Sequence, residues 1–364
     1  MVALLAVSAI LAAVVSALVQ RLALHFGIVD RPELAPQRKR IGQTVPLLGG
    51  LAIWFTLVVV TSLLFPNLTQ GYLLPKHLFG LWLAGGVLML GGWWDDRKNL
   101  SPLMQLIFPV AACVLVVASG IGIEYISNPL PSLGGGVITL EQTHWTLFYA
   151  DGVPYQLTLW ADLFTVVWLM LSMYTTKLLD GVDGLVSGIG MIGGIIIGLL
   201  SLSATVVQPE TASIAFVFAG ACAGFLIWNF APARLYLGEG GALFVGFMLG
   251  VLAILSGSKI ATALLILGLP LLDVLAVILR RVVIERKSPW HGDLLHLHFQ
   301  LQQRGWSVRQ IVLVYYLITL AFGLSTLILH GPAKVLVLGL LLLSGLALVI
   351  YASFNSTHHS TRQH

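Results

Sequence analysis

Five carboxylates stand at the ends of long apolar runs: Asp95 and Asp96 in Gly91-Gly-Trp-Trp-Asp95-Asp96-Arg97, Asp180 and Asp183 in Leu179-Asp180-Gly-Val-Asp183-Gly-Leu185, and Glu239 in Leu237-Gly-Glu239-Gly-Gly241. They are a third of the 15 acidic residues in a chain that is 58% hydrophobic and 9% charged. An ionised group at membrane depth costs about 3 kcal/mol or more unless a partner or an ion offsets it, so the clustering points to a site. Each motif also has a structural reading. Asp95-Asp96-Arg97 could cap a helix at an interface as readily as hold a metal or a phosphate. On a helix, Asp180 and Asp183 would share one face, where like charges repel unless a cation or proton intervenes. Lys177, three residues earlier on that face, could supply the cation, either in a structural ladder or in a metal- or phosphate-linked site. Gly181 and Gly184 leave the backbone open to a ligand. Glu239 opens an apolar helix, where an acid suits the helix dipole and glycine N–H groups suit an anion such as phosphate.

The segment 280–308 carries Arg280-Arg281, Arg286-Lys287, His291-Gly-Asp293 and His296-Leu-His298. Its cations could simply meet anionic lipid. On an extended strand, alternation about Leu297 would aim both imidazoles the same way, which is compatible with a metal. Without Cys or further His at ligand spacing, a structural zinc is disfavoured, and a phosphate- or nucleotide-binding role is the better reading. Asp273, inside an apolar run, needs a partner, and Arg280 or Arg281 lies two turns on. Cys113 and Cys222 fall inside apolar runs and read as small buried hydrophobes.

The elements that must position these groups are membrane spans. A mean hydropathy of +0.94 excludes an ordinary soluble domain. Apolar segments of spanning length lie at roughly 2–23, 47–65, 78–94, 103–121, 159–178, 185–204, 212–230, 240–257, 260–279, 309–329 and 334–352. The first lacks a basic leader and is too long for a signal-peptide core, so it reads as a span. With the N-terminus outside and the eleven spans alternating, 16 of the 19 Lys and Arg residues fall inside, leaving Lys76, Lys259 and Lys334 outside. All five acids and the histidine segment then face the cytoplasm. The predicted fold is an all-α polytopic membrane protein, a single domain over 1–354 with a polar, disordered tail at 355–364. Gly and Asp-Gly turns among β-formers in the outside segment 122–158 predict one or two β-hairpins. No internal repeat is evident.

Carboxylates, a glycine turn, His and Arg at one membrane face imply an oxygen-loving cation, Mg²⁺ before Mn²⁺, that would neutralise phosphate charge. An interfacial site suits one lipid phosphate and one soluble nucleotide. The motifs resemble, in content and in order, those of the polyprenyl-phosphate N-acetylhexosamine-1-phosphate transferases (glycosyltransferase family 4). That superfamily includes the WecA and TagO type and the related muramoyl-pentapeptide transferase MraY. The resemblance runs from Gly27-Ile-Val-Asp-Arg-Pro32, through Arg38-Lys39-Arg40 and Val45-Pro-Leu-Leu-Gly49-Gly50, to the acid motifs. It continues through Pro270-Leu-Leu-Asp273, Arg280-Arg281 and Asp293-Leu-Leu-His296-Leu-His298, and Gly305-Trp-Ser-Val-Arg309-Gln310 is closer to the WecA and TagO branch.

The resemblance implies transfer of a sugar-1-phosphate, GlcNAc-1-phosphate by default, from a UDP-sugar to undecaprenyl phosphate with release of UMP. The setting it implies is the cytoplasmic face of a bacterial plasma membrane, at the first membrane step of an envelope glycan. It makes Asp95, Asp96, Asp180 and Asp183 the catalytic acids and Asp96, Asp183 and Glu239 the metal ligands. Lys177, Arg280, Arg281, His296, His298, Arg38 and Lys39 become substrate-binding residues. Membrane lipids are expected partners, nucleic acid is not, and a homodimer is left open. The chain departs from the family's usual pattern where Lys177 replaces Asn, Glu239 replaces Asp, Ala242 replaces Ser, Ile41 and Phe299 each replace His, and Tyr174 replaces another Asn. The alternatives are a MraY-like phospho-MurNAc-pentapeptide transferase, and a non-catalytic or transport protein with Asp273 as a coupling residue. Acids gathered at one face, with no repeat, favour chemistry over transport.

Overall fold

The computed structural model describes residues 1–30, 44–127, 136–140, 144–150, 153–204, 206–257, 260–284, 286, 296–329 and 332–354. Arg38, Lys39, His291, Asp293 and the tail 355–364 lie outside the described residues. The order is α1 (Val2–His25), β1 (Val29–Asp30), β2 (Val45–Pro46), α2 (Gly49–Leu63), α3 (Phe65–Leu68), α4 (Pro75–Lys98) and α5 (Pro102–Ala118). Four short strands follow, β3 (Tyr125–Ser127), β4 (Val137–Thr139), β5 (His144–Ala150) and β6 (Val153–Thr158). The chain continues with α6 (Leu159–Leu179), α7 (Leu185–Ser201), α8 (Pro209–Asn229), α9 (Glu239–Leu255), α10 (Ile260–Ile266) and α11 (Gly268–Leu279). A π-helical turn (Arg280–Ile284) extends α11, before α12 (Leu297–Gln303), α13 (Val308–Ile328) and α14 (Pro332–Phe354).

Each apolar segment read from the sequence falls on a helix. By length and composition α1, α4, α6, α8 and α13 can cross a membrane, and the pair α10–α11, bent by 76°, makes a sixth candidate. Helices α2, α5, α7, α9 and the stretch Leu336–Ala347 of α14 are apolar but shorter. The expected hairpins are present, β3 antiparallel to β4 and β5 antiparallel to β6. A third ladder, β1 with β2, was not expected. Cys113 and Cys222 are buried free thiols, as their apolar settings predict.

Helix α9 is the axis of the bundle. Every residue from Gly240 to Leu255 is buried, as expected of a helix that is apolar all round. It packs against α2, α4, α6 and α7. Apolar attraction between helices is weak in lipid, so small residues that permit close approach decide the packing. A Cβ on Gly92 of α4 would collide with the Gly240 backbone, and one on Gly50 of α2 would collide with Gly241. Three helix ends are thereby brought together where the acids stand.

Main-chain bonds complete this frame. Pro46 O accepts the Tyr236 N–H (2.9 Å), Tyr236 O accepts the Gly49 N–H (2.9 Å), and Leu237 O accepts the Gly50 N–H (2.8 Å). On the other side of α9, the Thr176 hydroxyl of α6 donates to Ala242 O at 2.7 Å. That bond sets the rotation of α6, so that Lys177, the next residue, reaches across to α9.

Candidate active site

Glu239 is the first residue of α9, and its N–H donates to Asp96 Oδ1 at 3.2 Å. At the glycine-rich helix start, one of the free N–H groups is thus taken up by the Asp96 side chain. Asp95, one residue earlier and 7% exposed, is divided between two tasks. Its Oδ1 accepts the Leu100 N–H (2.8 Å) and Gln105 Nε2 (3.1 Å), bracing the turn between α4 and α5. Its Oδ2 lies 4.0 Å from Lys177 Nζ.

Lys177 is the cation of the cluster, although its partners are not those of the helix-face reading. Its Nζ is 2.9 Å from Glu239 Oε2 and donates to Gln105 Oε1 at 2.9 Å. It also lies 5.7 Å from the Tyr174 ring centroid. The ladder expected with Asp180 and Asp183 does not form, because α6 ends at Leu179 and residues 180–184 make a turn. Asp180 is the C-cap of α6, and Gly184, at φ +84, is the N-cap from which α7 starts, so the two acids never share a helix face. Asp183 Oδ2 instead accepts the Ala233 N–H at 3.0 Å. Loss of water contact, followed by the charges of Glu239, Asp96 and Asp183, holds the Asp180 carboxyl well above the ordinary carboxylate range. The five acids thus act on one another at a single place.

The histidines lie beside this turn. His296 caps α12 and His298 sits within it, so the pair is not on an extended strand. Their rings still stack, with centroids 5.6 Å apart and planes at 6°. Asp273, 1% exposed, organises them. Its Oδ2 is 3.2 Å from His296 Nδ1 and 3.9 Å from His298 Nδ1, and its Oδ1 accepts the Leu297 N–H at 2.7 Å. The described partners of this buried acid are therefore His296 and a backbone amide, where the sequence had suggested Arg280 or Arg281. Those two arginines stand in the π-helical turn beyond α11. A Cβ on Gly181 would lie 3.0 Å from His298 Nε2, so the bare backbone between Asp180 and Asp183 is what admits the imidazole.

Two residues missed by the sequence reading hold the site together. Gln105 joins Asp95 to Lys177, as described above. Asn229, 4% exposed, accepts the Gly184 N–H (3.1 Å) and the Ser187 hydroxyl (2.9 Å), and donates to Leu235 O (3.1 Å). It ties the turn at Asp183 to the segment leading to Glu239. Each is a lone amide in an apolar helix, and that isolation was the available signal. A crevice lined by Leu48, Leu51, Met89, Trp93 and Leu237 opens at Asp96.

The donor set suits a hard cation, since carboxylates and an amide oxygen are the ligands that Mg²⁺ takes. Asp96, Asp183 and Glu239 are the residues that would hold it. Among the described residues no three acids or histidines are close enough to form a finished metal site. A metal here would need ligands from substrate, and Mg²⁺ commonly draws them from phosphates.

The family model described as glycosyl transferase family 4 matches residues 78–257, a segment that contains all five acids and Lys177. A probable undecaprenyl-phosphate N-acetylglucosaminyl 1-phosphate transferase of Bacillus subtilis is 28% identical over 332 residues, 89% of this chain and 84% of the relative. The decaprenyl-phosphate N-acetylglucosaminephosphotransferase of Mycolicibacterium smegmatis is 30% identical, over 87% of this chain and 79% of the relative. A phospho-N-acetylmuramoyl-pentapeptide-transferase of a Synechococcus species is 32% identical, over 83% of this chain and 81% of the relative. Similarity sustained over most of both chains, with the matched segment enclosing the acid cluster, places the protein in glycosyl transferase family 4.

Proposed function

We propose that the protein transfers GlcNAc-1-phosphate from UDP-GlcNAc to a polyprenyl phosphate, undecaprenyl phosphate in a bacterial plasma membrane, and releases UMP. The observation that carries this reading is the convergence of five acids and one lysine at one place. Relatives that carry a polyprenyl phosphate and an N-acetylglucosaminyl phosphate in their names support the substrate pair. We also propose that all eleven apolar segments cross the membrane with the N-terminus outside. The distribution of Lys and Arg supports that topology, which turns the acid-bearing ends toward the cytoplasm.

In the reaction, an acceptor phosphate oxygen attacks the sugar-bearing phosphorus of the donor. The new P–O bond forms as the bond to UMP breaks, and UMP leaves with the bridging oxygen. Asp96 meets the acceptor head, held in place by the Glu239 N–H. Asp180, whose proton affinity is raised by its surroundings, takes up the acceptor's proton. The histidine pair, buried and oriented by Asp273, holds the donor phosphates or sugar, with Arg280 and Arg281 on the adjoining element. Mg²⁺, held by Asp96, Asp183 and Glu239, would supply neutralisation of the donor diphosphate.

The test is UMP release by detergent-purified protein given undecaprenyl phosphate, Mg²⁺ and a panel of UDP-sugars. The panel comprises UDP-GlcNAc, UDP-GalNAc and UDP-MurNAc-pentapeptide, the last because pentapeptide transferases are among the relatives. Release with UDP-GlcNAc alone is expected. Silence across the panel would sink the transferase reading.

A further inference from the structure

We propose that Lys177 holds the place of a divalent ion in the ligand-free site, and that metal binding at Glu239 requires its ammonium to leave. The inference rests on the metal-dependent transferase reading above and adds a role to one residue within it.

The ammonium sits among oxygens supplied by three other helices. Glu239 Oε2 of α9 and Gln105 Oε1 of α5 are each 2.9 Å away, and Asp95 Oδ2 of α4 is 4.0 Å away. Two carboxylates and an amide carbonyl are the donor types that a hard divalent cation takes. The match to an ammonium is incomplete. Glu239 Oε2 is buried and close to the lysine charge, yet it accepts no hydrogen bond. One positive charge also faces two carboxylates here, those of Glu239 and Asp95.

The tether allows exchange. The main chain at Lys177 is fixed, because the preceding Thr176 is bonded to Ala242 O. The side chain is long and flexible, and it is 14% exposed. A divalent ion arriving at Glu239 would displace the ammonium from that carboxylate and free it for a donor phosphate. Because both events draw on one lysine, metal and donor must favour each other's binding by reciprocal linkage. Metal alone then binds weakly, and metal with UDP-sugar binds tightly.

The experiment measures free Mn²⁺ by electron paramagnetic resonance in titrations of the purified full-length protein, with and without UDP-GlcNAc. UMP release is assayed on the same preparations. Lys177→Met should bind Mn²⁺ about tenfold more tightly than the parent without donor, since a unit charge at contact distance is removed. UDP-GlcNAc should tighten Mn²⁺ binding in the parent and do so much less in Lys177→Met, while Glu239→Gln should lose the tight site in both backgrounds. Lys177→Gln, polar and uncharged, serves in place of the Met variant if that one fails to fold. Equal or weaker Mn²⁺ affinity in both lysine variants, with metal-dependent UMP release intact in the parent, overturns this inference alone. Absence of Mn²⁺ binding by every protein, with UMP release that survives EDTA, overturns the metal assignment and this inference with it.

Discussion

The acid cluster and the histidine cluster lie side by side and are built in opposite ways. Both oxygens of the Asp273 carboxylate are already answered: one takes the Leu297 amide and the other faces His296, out of water. Around Glu239 five acids share one lysine, and the Asp180 carboxyl is held well above the ordinary carboxylate range. The carboxylate of the first region is settled before any ligand arrives, as suits a group that orients others. The second is short of positive charge and becomes complete only with substrate, as suits the place where charge moves.

The largest effect should come from emptying the unfinished region. Asp183→Asn and Glu239→Gln should each lower UMP release by about 10³-fold, the scale of losing a charge-stabilising group in a reaction centre, with circular dichroism unchanged. Near-full activity in both would mean that the cluster is structural and the contrast false. Next is the packing that creates it. Gly92→Val drives a side chain into the Gly240 backbone and should cost about 3 kcal/mol of stability, read as a lower Tm in detergent, with activity lost as α4 and α9 part. A smaller effect is expected around Asp273. Asp273→Asn keeps an oxygen for the Leu297 amide but removes the acceptor facing His296, and should reduce kcat/KM for the UDP-sugar about tenfold. A failure to fold would instead make Asp273 purely structural.

The smallest effect sharpens the contrast through pH. Asp180 holds its proton in the folded protein above the ordinary carboxylate value of 3.8, so its contribution to stability is full below that value. The contribution is lost as pH rises through the raised folded value. Asp180→Asn should therefore gain stability over the parent as pH increases, seen as a widening Tm difference between the two proteins. Parallel Tm profiles would show that Asp180 does not carry the strain of the unfinished region.

The gathering of the acids was legible because acids are costly in hydrocarbon, so their positions at the ends of apolar runs carried the information. The turn at Asp180–Asp183 was not legible. Spacing of three fits a helix, but α6 ends at Leu179, just before the first of the two acids. Lys177 illustrates a second limit: its nearest acids in sequence are not its partners, because packing on α9 aims it at Glu239. The helical setting of His298 likewise depends on Asp273, a residue on another helix that caps α12 from outside. Gln105 and Asn229 contribute single amides, and a single amide has no motif to announce it.

The strand-like stitch between residues 46–50 and 236–237 has an evolutionary consequence. Its bonds run from main chain to main chain, so they do not depend on which side chains the segments carry. A lineage can replace the usual Asp by Glu at position 239, or Ser by Ala at 242, while the scaffold that presents those positions stays where it was. Catalytic drift is cheap on such a frame, and the replacements around Lys177 and Glu239 are the kind of change it permits.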